Sequence, residues 1–120
     1  MWEVEYTDEF GGWWSTLSED VQESVAQDVG VVEEVGPGLG RPTVGSLAGS
    51  NFSNMKELRT KHRQHTIRIL FAFDPRRCAI LLIGGDKSGD GRFYERMIPL
   101  ADGVYAEHLE ALAREEHHDV

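Results

Sequence analysis

Hydrophobic and polar positions recur along the chain in two periods, and each change of period marks an element. Trp2, Val4 and Tyr6 alternate with Glu3 and Glu5. This two-residue period predicts a half-buried strand at a sheet edge. Thr7 then offers a helix N-cap, with Asp8 and Glu9 in the first turn and Phe10, Trp13, Trp14 and Leu17 as an apolar stripe. The paired tryptophans read as core, although Gly11-Gly12 weakens so short a helix. Ser18 is a second cap. After it Val21, Val25, Val29 and Val32 continue from Leu17 at helical spacing, while Glu19, Gln22, Glu23 and Asp28 point away. Gly36-Pro37-Gly38-Leu39-Gly40 ends that helix, and residues 36–54 read as a long surface loop.

The strand period returns over Met55–Lys61, His65–Asp74 and Cys78–Lys87, joined by two short turns into a three-stranded meander. In the middle run Ile67, Ile69, Phe71 and Phe73 share one face, expected to be the core face, and Arg68 lies on the opposite one. The third run has no polar residue from Cys78 to Ile83, which predicts a central strand covered on both faces. Pro99 and Asp102 read as lying near the start of a last helix, with Tyr105, Leu109 and Leu112 at helical spacing and His108 beside them. Residues 115–120 read as a fraying, solvated tail.

A chain of 120 residues with 40% hydrophobic content forms one domain, residues 1–120, with a single core. No apolar run reaches the ~20 residues of a membrane helix, and the acidic first ten residues lack the pattern of a signal peptide, so a cytoplasmic place is expected. The lone Cys78 sits in the most apolar strand and reads as a buried structural thiol in a reducing compartment.

Charge changes the picture. Residues 54–96 hold ten of the twelve Lys and Arg against five acids, a net +5, whereas the whole chain is −9. No Lys or Arg precedes Arg41. A basic sheet in an acidic body fits either a local anion-binding face, rather than a uniformly nucleic-acid-coating protein, or strand arginines that decorate a solvated face, and it makes long-range attraction of a polyanion weak. Asp86-x-Ser88-x-Asp90-Gly91 has the opening of a calcium loop, but Met97 stands where a bidentate glutamate is needed and a strand precedes it, so no metal site is expected there. Gly84-Gly85 lacks the further glycine and the lysine of a nucleotide cradle.

The order strand, two helices, loop, meander, helix resembles the RelE/ParE superfamily of toxins from type II toxin–antitoxin systems. The residues that carry the resemblance are Leu58-Arg59 entering the meander, Arg68-Ile69-Leu70-Phe71 in its middle strand and Lys87 after its last. The stretches Phe71–Arg77, Leu81–Gly89 and Phe93–Asp102 resemble its HigB-like, phage-derived branch. The resemblance implies an α+β fold, with a small antiparallel sheet, an N-terminal helical hairpin and a C-terminal helix. It implies a metal-independent, cofactor-free mRNA endoribonuclease acting on the ribosome, held silent by a helix-turn-helix, HigA-like antitoxin. It leaves open a chain that no longer cuts but binds its antitoxin and tunes operon transcription, and a ParE-like gyrase inhibitor.

Cutting RNA requires a group to take the 2′-hydroxyl proton, a cation for the phosphate and a donor to the leaving 5′-oxygen. Arg68 matches the superfamily's strand arginine, with Lys87 and Tyr94 near two further functional positions. Arg59, Lys61, Arg63 and Arg92 are the expected RNA-binding cations. The two lysines that RelE itself carries on the preceding strand correspond here to Met55 and Glu57, with Lys56 on the other face. Glu57 therefore stands either as a base or as a group that repels phosphate. His62 and His65, in the turn beside Arg68, are the remaining acid–base candidates because imidazole titrates near neutral pH.

Overall fold

The computed structural model describes residues 1–118, with side chains to Glu115. It comprises β1 (Val4–Tyr6), α1 (Asp8–Trp14), α2 (Glu19–Val35), a 3-10 turn (Gly36–Gly38), β2 (Val44–Ser46), β3 (Lys56–His62), β4 (His65–Phe73), β5 (Ala79–Asp86) and α3 (Phe93–His118). The strands form one sheet in the order β1-β5-β4-β3-β2, antiparallel throughout except that β1 runs parallel to β5. This is an α+β fold with a helical hairpin on one face and a C-terminal helix on the other.

Both predicted caps form. Thr7 Oγ1 accepts from the Phe10 amide at 3.1 Å and Ser18 Oγ from the Val21 amide at 3.4 Å. They set α1 and α2 so that Phe10, Val21, Val25 and Val32 pack on Leu58, Ile67, Ile69 and Phe71. Trp13 and Trp14 pack half-buried against that cluster. Gly84 makes this possible, because a Cβ there would fall 2.3 Å from the Trp13 ring.

Four expectations are corrected. The Arg68 face of β4 is also core: Leu70 and Ala72 are buried under Phe93, Met97, Ile98 and Ala101 of α3. The stretch 36–54 is not a free loop, since Val44–Ser46 pairs with Lys56–Leu58 as a fifth strand. It is also fastened to α3, with Asp102 accepting from Ser50 Oγ at 2.5 Å and from the Asn51 amide at 2.8 Å, while Phe52 meets Tyr105 edge to face. The last helix starts at Phe93, not near Pro99. Asp90 closes its start, accepting from the Arg92 amide at 3.0 Å, and burial of Phe93 and Met97 holds the turns before Pro99 on the sheet. Finally, Tyr6 shares the side of Val4, its ring 5.9 Å from that of Phe10, but at 67% exposure it is not half-buried.

The backbone is helical to His118, and the rest of the expected tail lies outside the described residues. Cys78 is buried, and that burial, with the charge of Glu5, pushes its thiol up to about 11. Among the described residues no helix is long and apolar enough to cross a membrane.

Candidate active site

Antiparallel pairing of β3 with β4 places Arg59 directly opposite Arg68, and Glu57 opposite Leu70. By the two-residue period Glu57, Arg59 and Lys61 of β3 therefore share the α3 face with Arg68. Two cations in directly opposed positions repel each other. Glu57, 4% exposed, lies among them and binds both. Its Oε2 accepts from Arg59 Nη2 at 3.1 Å and Nε at 3.3 Å, and its Oε1 lies 3.4 Å from Arg68 Nε.

The early start of α3 brings in Tyr94, whose hydroxyl donates to Glu57 Oε1 at 2.5 Å. Burial first, then the hydrogen bond to Glu57, raises the Tyr94 phenol above its ordinary value, with Arg68 acting the other way. At neutral pH Tyr94 is thus a proton donor rather than a base. Lys87, just past β5, places Nζ 5.6 Å from the centre of the Tyr94 ring. Arg68 has a 13% exposed side chain, and its Nη1 donates to the Ile67 carbonyl at 3.0 Å. Its Nε is not aimed at Glu57, and among the described residues it is the one buried side-chain nitrogen or oxygen without a hydrogen bond.

The structure thus brings Arg68, Arg59, Glu57, Tyr94 and Lys87 together. It does not bring His62 and His65 to them. Both histidines fall on the α1–α2 face by strand period. His62 Nδ1 bonds to Ser24 Oγ of α2 at 2.8 Å, and His65 Nδ1 to Asp86 Oδ2 at 2.7 Å. Lys61 is exposed on the site's face, two residues beyond Arg59. Arg63 sits in the hairpin turn at φ 56°, with Nη2 4.0 Å from Asp20 of α2. Arg92 is exposed just before α3.

Sequence reasoning missed Gly45. It pairs with Glu57 across β2 and β3, and a Cβ there would fall 2.5 Å from Arg59 Nη2. The Arg59 guanidinium lies over this glycine while it turns toward Glu57. The signal was hidden because a short strand within a glycine-rich stretch has no hydrophobic period to read.

Comparison with known proteins yields three kinds of match. A family model described as phage-derived protein Gp49-like matches residues 12–106. HigB3 of Mycobacterium tuberculosis, named as a toxin, is 50% identical over 91 residues, which cover 75% of this chain and 78% of that protein. HigB2 of the same organism, likewise named as a toxin, is 44% identical over 99 residues; these cover 81% of this chain but only 49% of that longer relative. Among solved structures, the E. coli RelBE toxin–antitoxin complex superposes with a TM-score of 0.55 at 14% identity, covering 71% of this chain and 95% of the matched one. The archaeal RelE–RelB complex of Pyrococcus horikoshii gives 0.54 at 9% identity, covering 73% and 97%. These structural matches concern the fold.

Proposed function

The chain belongs to the phage-derived Gp49-like family, and from that premise we propose that it is the toxin of a RelE/HigB-type toxin–antitoxin pair, an endoribonuclease that cuts mRNA on the translating ribosome. The observation that carries this reading is the convergence of Arg59, Arg68, Tyr94 and Glu57 on one partly covered patch of the sheet.

In the cut the ribose 2′-oxygen bonds to phosphorus and the bond from phosphorus to the 5′-oxygen breaks. Arg68 neutralises the charge that grows on the phosphate, because a guanidinium donates through a planar fork and stays charged at any working pH. Arg59 supplies the second cation. Tyr94 is protonated and gives its proton to the leaving 5′-oxygen. Glu57, the carboxylate within hydrogen-bonding reach of the Tyr94 hydroxyl, takes the proton from the 2′-hydroxyl. Lys87, Lys61 and Arg92 lead the RNA strand to this patch.

The acidic body keeps capture of RNA by the chain alone weak, so that it is measured at low salt, and on mRNA the ribosome supplies the missing positioning. The matched RelE structures include complexes with RelB antitoxins. By extension this chain has a protein antitoxin, of the helix-turn-helix, HigA-like kind.

A second reading is a chain that holds its antitoxin and tunes operon transcription without cutting. It is favoured by Glu57, whose carboxylate binds the guanidiniums that a phosphate needs. Expression of the chain alone in a bacterial host separates the two. A nuclease arrests growth, and Arg68→Ala at equal soluble level relieves the arrest. Unimpeded growth with soluble wild-type protein contradicts the nuclease and supports the regulator.

A further inference from the structure

We propose that Glu57 is a resident anion in a phosphodiester seat, so that RNA binds by taking the Arg59 guanidinium away from it and filling the free donor of Arg68. This rests on the RNA-cutting reading and adds a built-in competitor to the site.

Three observations carry it. First, the opposed Arg59–Arg68 pair needs a counter-charge, and Glu57 supplies it from 4% exposure, with Arg59 bound through two nitrogens. Second, the seat is only part-filled by this carboxylate. Arg68 Nε is buried beside Glu57 at 3.4 Å yet makes no hydrogen bond, so one donor of the fork still lacks an acceptor. A tetrahedral phosphate offers more oxygens, in more directions, than the planar carboxylate. Third, Arg59 reaches Glu57 only because residue 45 is glycine. The guanidinium rests where a Cβ at Gly45 would be, 2.5 Å from Nη2. Arg59 has a 29% exposed side chain and is the movable partner, whereas Arg68 is held by the Ile67 carbonyl.

On RNA binding Arg59 leaves Gly45 and follows the phosphate. Glu57 is then released from that pair and free to accept the 2′-hydroxyl proton. Occupation of the seat and readiness of the base are thereby linked.

The test is fluorescence anisotropy with a labelled single-stranded RNA bearing 2′-O-methyl riboses, which binds but cannot be cut. Glu57→Gln removes the competing charge. Gly45→Ala keeps every charge and displaces only the tip of a flexible side chain, so it preserves the fold. Each tightens binding roughly three- to tenfold, and Arg68→Ala weakens it. Circular dichroism confirms that each variant is folded, and if Glu57→Gln does not fold, Gly45→Ala alone decides. A folded variant of either kind that binds no tighter than wild type, while Arg68→Ala still weakens binding, overturns the resident anion. An Arg68→Ala protein that binds as well as wild type overturns instead the phosphate-binding reading beneath it.

Discussion

Tyr94 hydrogen-bonds to Glu57, a residue 37 positions away along the chain, and its protonation state sets the role proposed for it. Burial and the bond to Glu57 hold the phenol above its ordinary value of 10.0. In the proposed cut Tyr94 is the general acid and works while protonated, so the activity is expected to persist through neutral and mildly alkaline pH and to fall only beyond the ordinary range of a phenol. Tyr94→Phe should lower the cutting rate about 10²-fold and remove that alkaline limb; an unchanged limb in a pH–rate profile would place the acid elsewhere. At this scale the sequence was half legible. The two-residue period put Glu57 and Arg59 on the face opposite Thr60, and the register then brought Arg68 to them. The same period assigns His62 to the Leu58–Thr60 face and His65 to the Ile67 face. Nearness along the chain made them look like partners of Arg68, and strand geometry sends them to α2 and to Asp86.

Among the elements, α3 decides whether the site exists. It starts six residues before Pro99, which carries Tyr94 over β3. Proline usually ends or kinks a helix, so a start near Pro99 was the reasonable sequence reading. What overrides it is tertiary: Phe93 and Met97 are buried against β4 and β5, and a Cβ at Gly85 would fall 2.9 Å from the Phe93 ring. The far part of α3 is held by the segment before β3, through Asp102 to Ser50 and Asn51 and through Asn54 to Tyr105 at 3.1 Å. Asp102→Ala leaves those donors without their acceptor and should cost about 1–3 kcal/mol. Its mark is faster amide hydrogen exchange over residues 47–54, and unchanged exchange there would show that the segment holds without Asp102. That segment and β2 were illegible because short strands among small residues bury too little side chain to leave a period.

Over the whole molecule, charge is divided: the first forty residues hold ten acids and no Lys or Arg, and the site lies on the basic sheet. That division was fully legible, since it needs only counting. Acid stability draws on carboxylates that counting could not single out: Asp90, held low by Arg96, together with Asp74 and Asp86. Burial raises Asp74, but hydrogen bonds from Arg76 at 2.7 Å and His108 at 2.8 Å outweigh it and hold the pKa below the usual range. Burial likewise raises Asp86, and bonds from His65, Ser88 and Thr66 more than reverse it. A depressed folded pKa gives stability that is complete above the unfolded value of about 4 and is lost as the pH falls below it. Asp74, with a fully buried side chain, is the clearer test. Asp74→Asn should cost about 2 kcal/mol at pH 7, and the gap to wild type should narrow below about pH 4 in thermal melts. A gap independent of pH would mean that Asp74 acts through shape rather than charge. The central claim, that this basic patch cuts mRNA under translation, is tested most directly by mapping new 5′ ends on a reporter mRNA in a cell-free translation reaction. Purified wild-type protein should produce cuts inside the reading frame that vanish when initiation is blocked and with Arg68→Ala. An intact message during active translation, or cuts that persist without Arg68, would contradict it.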